Sequence, residues 1–243
     1  MKRPRTVHCF FEQSGTFKNQ FRSLGIDAYD YDIQDEYGET DYKIDLFVEF
    51  CKAFEGGASV FDNISKDDLI IAFFPCIYFS ALSQMAMYFN CINYRTLDAT
   101  QKGRAILERS AHREEFFAHA VRMFTVCLDR GLKLIMENPW SEQTFLKWNF
   151  VCAPSYIDPD RSKRGDYFKK PTAYWFLNCE PCNGYTLQPR SHGTILKARP
   201  SMQAGICSQA RSEISPEYAY NFICDNILGC ANRNEKQLRL DFF

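Results

Sequence analysis

The chain has 243 residues, of which 46% are hydrophobic, and a formal net charge of −1 at pH 7. This length supplies one sizeable core and leaves no room for two full domains. No apolar run approaches the roughly 18 to 20 residues that a transmembrane helix needs, and no apolar N-terminal stretch directs secretion. The 11 cysteines are odd in number and scattered, which argues against a disulfide scaffold and favours reduced thiols in a cytoplasmic protein.

The first 140 residues alternate between strand-like and helical patterns. Apolar runs predict strands at 6–11, 28–31, 44–47, 69–74 and 132–136, and apolar spacing predicts helices at 16–24 and 104–130. This alternation favours an α/β fold with a mostly parallel sheet and helices on both faces.

The pattern weakens after Trp140. We interpret 152–170 as a loop because it is rich in proline, charge and tyrosine. A short strand is predicted at 174–177, followed by irregular chain to about residue 209. A final helix is predicted from Pro216 to about Leu228, with proline in its first turn and a glycine at its end.

Charge is unevenly distributed along the chain. Between 26 and 68, 13 acidic residues stand against three lysines, whereas between 161 and 211 nine basic residues stand against two acidic ones. Clustered basic residues attract phosphate and clustered acidic residues repel it. A polyanion would therefore bind towards the second half of the chain.

The turn after the first strand is a candidate nucleotide loop. The segment Phe11-Glu12-Gln13-Ser14-Gly15-Thr16-Phe17 is a strand-to-helix turn that can bring backbone amides close to a ligand. Asp30 and Asp32 follow at the end of the second strand, where such folds hydrogen-bond a ribose, and Asp45 stands in the next strand-like run. Each signal alone also fits an ordinary turn or a solvated strand end. Together they favour an adenosyl cofactor.

A buried strand delivers Cys76 at its C-terminal end, directly after Pro75. A buried cysteine is usually an inert small hydrophobe. The strand at 132–136, however, leads into Glu137 and Asn138, which puts a carboxyl group beside the thiol. Sulfur can then add to an electron-poor ring while the acid protonates or hydrogen-bonds a ring nitrogen.

These motifs resemble those of DNA cytosine-C5 methyltransferases: Asp68-Leu69-Ile70 and Phe74-Pro75-Cys76 on one strand, then Glu137-Asn138 on another. The segment 11–17 resembles the family's cofactor loop, and Asp30, Asp32 and Asp45 stand where acids contact the ribose and the adenine amine. The similarity spans most of the chain. It implies a Rossmann-like fold of the class I S-adenosylmethionine-dependent methyltransferases.

The resemblance assigns roles to individual residues. Cys76 would add to C6 of a cytosine flipped out of duplex DNA, and Glu137 would stabilise the ring protonated at N3. Asn138 would mainly hold the strand end and Pro75 in position. The cofactor, S-adenosylmethionine, would be bound by Phe11, Glu12, Ser14, Gly15, Thr16, Asp30, Asp32, Asp45, Leu46 and Phe74.

The resemblance also divides the chain into four parts. These are a catalytic and cofactor-binding domain at 1–155, a basic loop with a small target-recognition region at 156–210, a returning C-terminal helix at 211–230 and a tail at 231–243. The segment from Tyr167 to Trp175, which contains Lys169-Lys170-Pro171-Thr172, resembles a basic segment of the phage-type branch. The candidates for contacts with DNA are Arg161, Arg164, Lys169, Lys170 and Thr172, for which a solvated basic loop is the alternative.

The chain departs from the family pattern in its cofactor loop and in its recognition region. Gln13 and Phe73 stand where glycines are usual, and Pro139 replaces a common valine. The stretch between Leu177 and Gln209 is much shorter than the family's usual target-recognition domain. The recognised DNA sequence would therefore be short, or its recognition would be relaxed or supplied by a partner.

Two further motifs concern metals and partners. Cys179 and Cys182 form a Cys-x-x-Cys without a second pair at standard zinc spacing, so we expect no metal. The last seven residues, 237–243, resemble the peptide by which bacterial proteins bind the replicative sliding clamp, and the anchors would be Gln237, Leu240 and Phe242. A tail that folds back on the core is the alternative.

The leading hypothesis is a DNA cytosine-C5 methyltransferase in the cytoplasm of a bacterial host cell, from a bacterium, phage or mobile element. The same chemistry on RNA is an alternative because the recognition region is short. A non-catalytic binding module with a methyltransferase fold is a second alternative. The eroded loop at Gln13 favours it, whereas the retained Cys76, Glu137 and Asn138 argue against it.

Overall fold

The computed structural model describes residues 2–81, 83, 94–190 and 213–230. Within them the strands are β1 (Thr6–Phe10), β2 (Asp27–Asp32), β3 (Tyr42–Lys43), β4 (Leu69–Phe73), β5 (Lys133–Pro139), β6 (Tyr156–Asp158) and β7 (Thr172–Leu177). The helices are α1 (Thr16–Ser23), α2 (Leu46–Phe54), α3 (Ala99–Arg130), α4 (Phe145–Asn149) and α5 (Pro216–Phe222), and α5 continues as a π-helix over Ile223–Leu228. Short 3-10 turns cover Val60–Asn63 and Arg161–Arg164.

The strands form one sheet in the order β3-β2-β1-β4-β5-β7-β6. β1 to β5 are parallel to one another, whereas β7 runs antiparallel to both β5 and β6. The first five strands follow the 3-2-1-4-5 order of doubly wound α/β sheets, in which ligands bind beyond the carboxyl ends at the β1–β4 switch point. The prediction of an α/β fold with a mostly parallel sheet is confirmed.

Two apolar layers cover the sheet, one on each face. One layer packs α2 and α3 against the strands through residues such as Phe50 and Phe124. The other packs α1 and α5 through Phe17, Phe21 and Phe222. Phe17 and Phe21 lie four residues apart and therefore share one face of α1. Helices accordingly lie on both faces, as the alternating pattern predicts.

The long helix α3 has clear stop and start signals. Asp98 and Gln101 form a capping box at its first turn. Gly131 ends it in the left-handed conformation, with a φ of 66° that a glycine adopts without strain. None of the helices in the described ranges combines the length and the apolar content needed to cross a membrane.

The predicted strand at 44–47 is wrong. Asp45 instead begins α2, because its carboxylate accepts hydrogen bonds from the amides of Phe47 and Val48. Leu46, Phe50 and Ala53 are the buried residues of that helix. Their helical spacing places them on one face of α2.

The interpretation of 152–170 as a loop also needs correction. β6 and the 3-10 turn at 161–164 lie within it, and β6 pairs with β7 in the same sheet as the remaining strands. The segment from 156 to 177 is thus joined to the sheet by β6 and β7. The expected boundary at residue 155 does not separate it from the part that carries Cys76.

Candidate active site

Cys76 and Glu137 emerge at the same edge of the sheet. β4 and β5 are neighbouring parallel strands, and Phe73 lies opposite Glu137 in their register. Asn138, whose side chain is fully buried, donates a hydrogen bond of 3.0 Å from Nδ2 to the carbonyl of Phe74. This bond ties the loop that carries Cys76 to the end of β5.

The chain turns sharply at Cys76. Its carbonyl accepts hydrogen bonds from the amides of Phe79 and Ser80, at 3.0 and 3.1 Å. Phe74 before it is buried, and Ile77 after it is 59% exposed. The half-buried thiol therefore stands on a short turn held at both ends.

A buried arginine lies against Glu137. Nη1 of Arg161 is 3.6 Å from Oε1 of Glu137, and its Nη2 is 2.5 Å from Oδ2 of Asp166. Burial lowers the pKa of Arg161, but the attraction of Asp166 and the neighbouring tyrosines outweighs it and the net pKa is raised. The guanidinium therefore stays charged, with a carboxylate on each side.

Two buried acceptor atoms at this edge are not hydrogen-bonded within the described residues, although Nη1 of Arg161 lies 3.6 Å from one of them. Oε1 of Glu137 and Oδ1 of Asn138 are buried and make no hydrogen bond within the described residues. Buried acceptors are rarely left without a donor. A bound group with N–H donors would satisfy them, and an aminopyrimidine ring carries such groups.

Arg161, Arg164 and Thr172 were expected to contact DNA, and the structure corrects this expectation. Arg161 and Thr172 are fully buried and Arg164 is 3% exposed. Arg164 forms ion pairs with Asp158 and Asp225 inside the protein. None of the three side chains is exposed for a contact with phosphate.

Lys169 and Lys170 differ from these residues because Lys169 is exposed and Lys170 is half-buried. They remain the available basic residues of the predicted set. The signal that distinguishes the arginines was present in the sequence, since Asp158, Asp160 and Asp166 flank them closely. Such alternation of acids and arginines permits internal pairing.

The loop after β1 is held by its own side chains. Glu12 is buried and accepts hydrogen bonds from the amides of Phe17 and Lys18, at 2.6 and 3.2 Å. Ser14 and Thr16 are half-buried, with their hydroxyl oxygens 3.0 Å apart. Glu12 thus caps α1 rather than pointing into the crevice.

Gly15 and Phe11 both adopt positive φ, at 66° and 59°. A Cβ at Gly15 would lie 2.7 Å from Oε2 of Glu39, so the Glu39 side chain would have to shift. Phe11 is a bulky residue in a conformation that costs energy. Its ring is held by Phe47 and Phe74, with centroids 5.5 and 5.4 Å away.

Asp30, a predicted ribose contact, is paired with Lys18 inside the protein. Its side chain is fully buried, with Oδ2 at 3.4 Å from Nζ of Lys18. Burial and the nearby Glu12 raise the pKa of Asp30 to about 9. Asp32, the last residue of β2, is 8% exposed and accepts a hydrogen bond from the amide of Gln34. Asp32 is therefore the better-placed candidate for a ribose.

Cys9, Glu12 and Asp30 bring their ligand atoms within 4.8 Å of one another. Lys18 already supplies a positive charge there, since its ammonium group also pairs with Glu39 and Asp41. A metal ion would have to displace it. We therefore assign no metal to this cluster.

The remaining predicted cofactor residues occupy different environments. Asp45 is exposed and caps α2, whereas Leu46 and Phe74 are buried in the core. Phe47 was not predicted, yet its ring packs on Phe11 and stacks on His119 with centroids 4.4 Å apart. The crevice edge is thus lined by aromatic rings.

The predicted clamp-binding residues Gln237, Leu240 and Phe242 lie outside the described residues. No protein-family model matches the chain, and no curated protein matches it. The candidate site therefore rests on the residues and on the geometry described above.

Proposed function

We propose that the protein is an S-adenosylmethionine-dependent DNA cytosine-C5 methyltransferase. One observation carries the proposal: a cysteine and a glutamate stand at the ends of adjacent parallel strands, joined by the bond from Asn138 to the carbonyl of Phe74. A thiol nucleophile and a carboxylic acid on one rigid edge suit covalent addition to a pyrimidine.

We further infer that the sheet is that of the class I methyltransferases. Such a fold accounts for the 3-2-1-4-5 order and for a reversed β7 between β5 and β6. Asp32 and the rings of Phe11 and Phe47 lie around the carboxyl ends of β1 and β2 and the start of α2. A carboxylate and aromatic rings are suited to a ribose and an adenine, so these residues fit an adenosyl cofactor.

In this mechanism the sulfur of Cys76 forms a bond to C6 of the base. Glu137 holds a proton at N3, so that electron density from the new bond is accepted by the ring. S-adenosylmethionine, when bound, supplies the methyl group to C5. Loss of the proton at C5 then expels the sulfur of Cys76 and restores the aromatic ring.

The experiment that tests the proposal uses a fluorinated base. The protein is incubated with S-adenosylmethionine and duplex DNA that contains 5-fluorocytosine. Fluorine replaces the proton that must leave C5, so the covalent adduct persists on a denaturing gel. We expect an adduct with the wild type and none with Cys76→Ala.

Cys152→Ala is the matched control, because Cys152 is exposed and lies outside the candidate site. This variant should form the adduct as the wild type does. An adduct with RNA and not with DNA would indicate that the protein carries out the same chemistry on RNA. Failure of the wild type with duplex DNA, single-stranded DNA and RNA would favour a non-catalytic binding module.

A further inference from the structure

The start of α5 closes over the turn that carries Arg161. The hydroxyl of Ser215 donates to the carbonyl of Gly165 at 2.6 Å, and the amide of Ser215 donates to Oδ1 of Asp166 at 2.9 Å. Ser215 is fully buried. The turn at 161–166 is therefore fixed to a helix that lies far from it in the sequence.

Tyr218, one turn into α5, supplies the surface on which Arg161 rests. The guanidinium carbon is 4.6 Å from the centre of the tyrosine ring, which is fully buried. A cation held over an aromatic face is attracted to it, and more strongly where water is absent. Arg161 thus has a ring on one side and carboxylates at two of its nitrogens.

The ring of Tyr218 packs against Phe222, with centroids 6.1 Å apart, and its hydroxyl adds hydrogen bonds. That hydroxyl donates to Oδ2 of Asp158 at 3.2 Å and lies 2.8 Å from the hydroxyl of Tyr174. Tyr174 lies directly opposite Glu137 where β5 pairs with β7. The ring therefore has a defined position relative to the strand that carries the proposed acid.

We infer that Tyr218 and Asp166 are positioning residues of the reaction, which rests on the proposed function: together they place Arg161, and Arg161 orients the carboxyl group of Glu137. Glu137 makes no hydrogen bond of its own at Oε1 within the described residues. Nη1 of Arg161 lies 3.6 Å from this oxygen and attracts it by its charge. Helix α5 thus contributes a positioning residue to the proposed site.

The test compares two substitutions at one position. Tyr218→Leu removes the ring, whereas Tyr218→Phe keeps the ring and removes only the hydroxyl. We expect kcat for methyl transfer to fall about 10- to 100-fold in Tyr218→Leu, as for a misplaced catalytic group, with KM for DNA and S-adenosylmethionine unchanged. Tyr218→Phe should retain kcat within about threefold because the attraction of the ring remains.

Tyr220→Leu is the control on the same helix, because Tyr220 is only half-buried and does not contact Arg161. It should keep the wild-type kcat. Asp166→Asn is a second variant that tests the inference if Tyr218→Leu does not fold. It preserves an acceptor for Ser215 but removes the charge beside Arg161, and should also lower kcat about 10-fold without changing KM.

Wild-type kcat in folded Tyr218→Leu and Asp166→Asn would overturn the inference alone. Equal losses in Tyr218→Phe and Tyr218→Leu would also overturn it, because the ring would then not be the group that matters. A wild type that transfers no methyl group to DNA would overturn the proposed function as well. The two failures are therefore distinguishable.

Discussion

Arg164 forms two ion pairs, one with Asp158 on β6 and one with Asp225 in the π-helix. It is 3% exposed, so its removal would leave two carboxylates buried without their cation. Breaking a buried ion pair in this way costs about 3–5 kcal/mol. We expect Arg164→Met to lower the free energy of unfolding by that amount, as measured by urea denaturation.

Arg190→Met is the matched comparison at the surface. Arg190 pairs with Glu217 at 2.7 Å, but the two side chains are 30% and 45% exposed. Exposed pairs of this kind contribute about 0–1 kcal/mol. Equal losses in the two variants would contradict the internal role of Arg164.

His8 provides a prediction about pH. It is 6% exposed, and burial lowers its pKa to about 4, an effect that the nearby Asp68 only partly offsets. The native protein therefore keeps His8 neutral between pH 6.5 and 4, whereas the unfolded chain takes up a proton below pH about 6.5. Stability contributed by neutral His8 is present above that pH and is lost as the pH falls.

The measurement compares the wild type with His8→Gln at pH 7 and pH 4. The wild type should lose about 3 kcal/mol more free energy of unfolding than the variant over this range. The difference between the two proteins isolates His8 from the carboxylates that also titrate. Parallel losses in the two proteins would show that His8 does not carry this dependence.

Site residues could be predicted from the sequence where the residues directly before them form a recognisable pattern. Cys76 and Glu137 each follow a continuous apolar run, which is typical of a central parallel strand, and the ends of such strands meet at one edge. The distant partners of Arg161 and Arg164 could not be found in this way. Burial of an arginine depends on Tyr218 and Asp225, which lie more than fifty residues away.

At the level of elements, one side-chain amide, that of Asn138, ties the loop that carries Cys76 to the end of β5. Asn138→Asp keeps the shape of the side chain but replaces the donor at Nδ2 by an oxygen facing the carbonyl of Phe74. A buried donor lost beside a fixed acceptor costs about 1–3 kcal/mol, and more where the new group is a charged carboxylate. The loop with Cys76 should then move, and adduct formation with 5-fluorocytosine DNA should slow by at least about 10-fold.

Asn149→Asp is a control with similar geometry at the surface. Asn149 also donates from Nδ2 to a carbonyl, that of Phe145, at 2.8 Å, but this bond is exposed to water. Its loss should leave stability and the rate of adduct formation unchanged. An equal rate in the two variants would show that the bond to Phe74 does not position Cys76.

Strands with a strong apolar pattern were predicted from the sequence, whereas a strand with a weak pattern, such as β6, was not. β4 and β5 stand out because both faces of each strand are buried. β6 has only three residues, and its strand geometry comes from pairing with β7. The strand prediction at 44–47 was wrong because a short apolar run fits a strand and the start of a helix equally well. The cap formed by Asp45 favours the helix.

At the scale of the molecule, the proposed contact with DNA is reduced to Lys169 and Lys170. Each phosphate contact that a lysine makes contributes about one unit to the slope of log K against log salt. We expect Lys169→Ala and Lys170→Ala each to reduce that slope by about one, with unchanged thermal stability. Binding of duplex DNA measured over a range of salt concentrations gives this slope.

Lys52→Ala is the control, because Lys52 is exposed on α2 and pairs with Glu49. It should leave the slope as in the wild type. If Lys169→Ala and Lys170→Ala also leave the slope unchanged, another surface binds the DNA. The overall charge of −1 is consistent with binding by a small local group of basic residues.

The position of α5 in the chain has a consequence for synthesis. Its Phe222 packs on Phe17 of α1, while its Tyr218 lies under Arg161. A ribosome makes the strands with Cys76 and Glu137 long before it reaches this helix. A growing chain therefore carries Cys76 and Glu137 before Tyr218 has been added. The proposed enzyme would become fully active only after the helix that carries Tyr218 has left the ribosome.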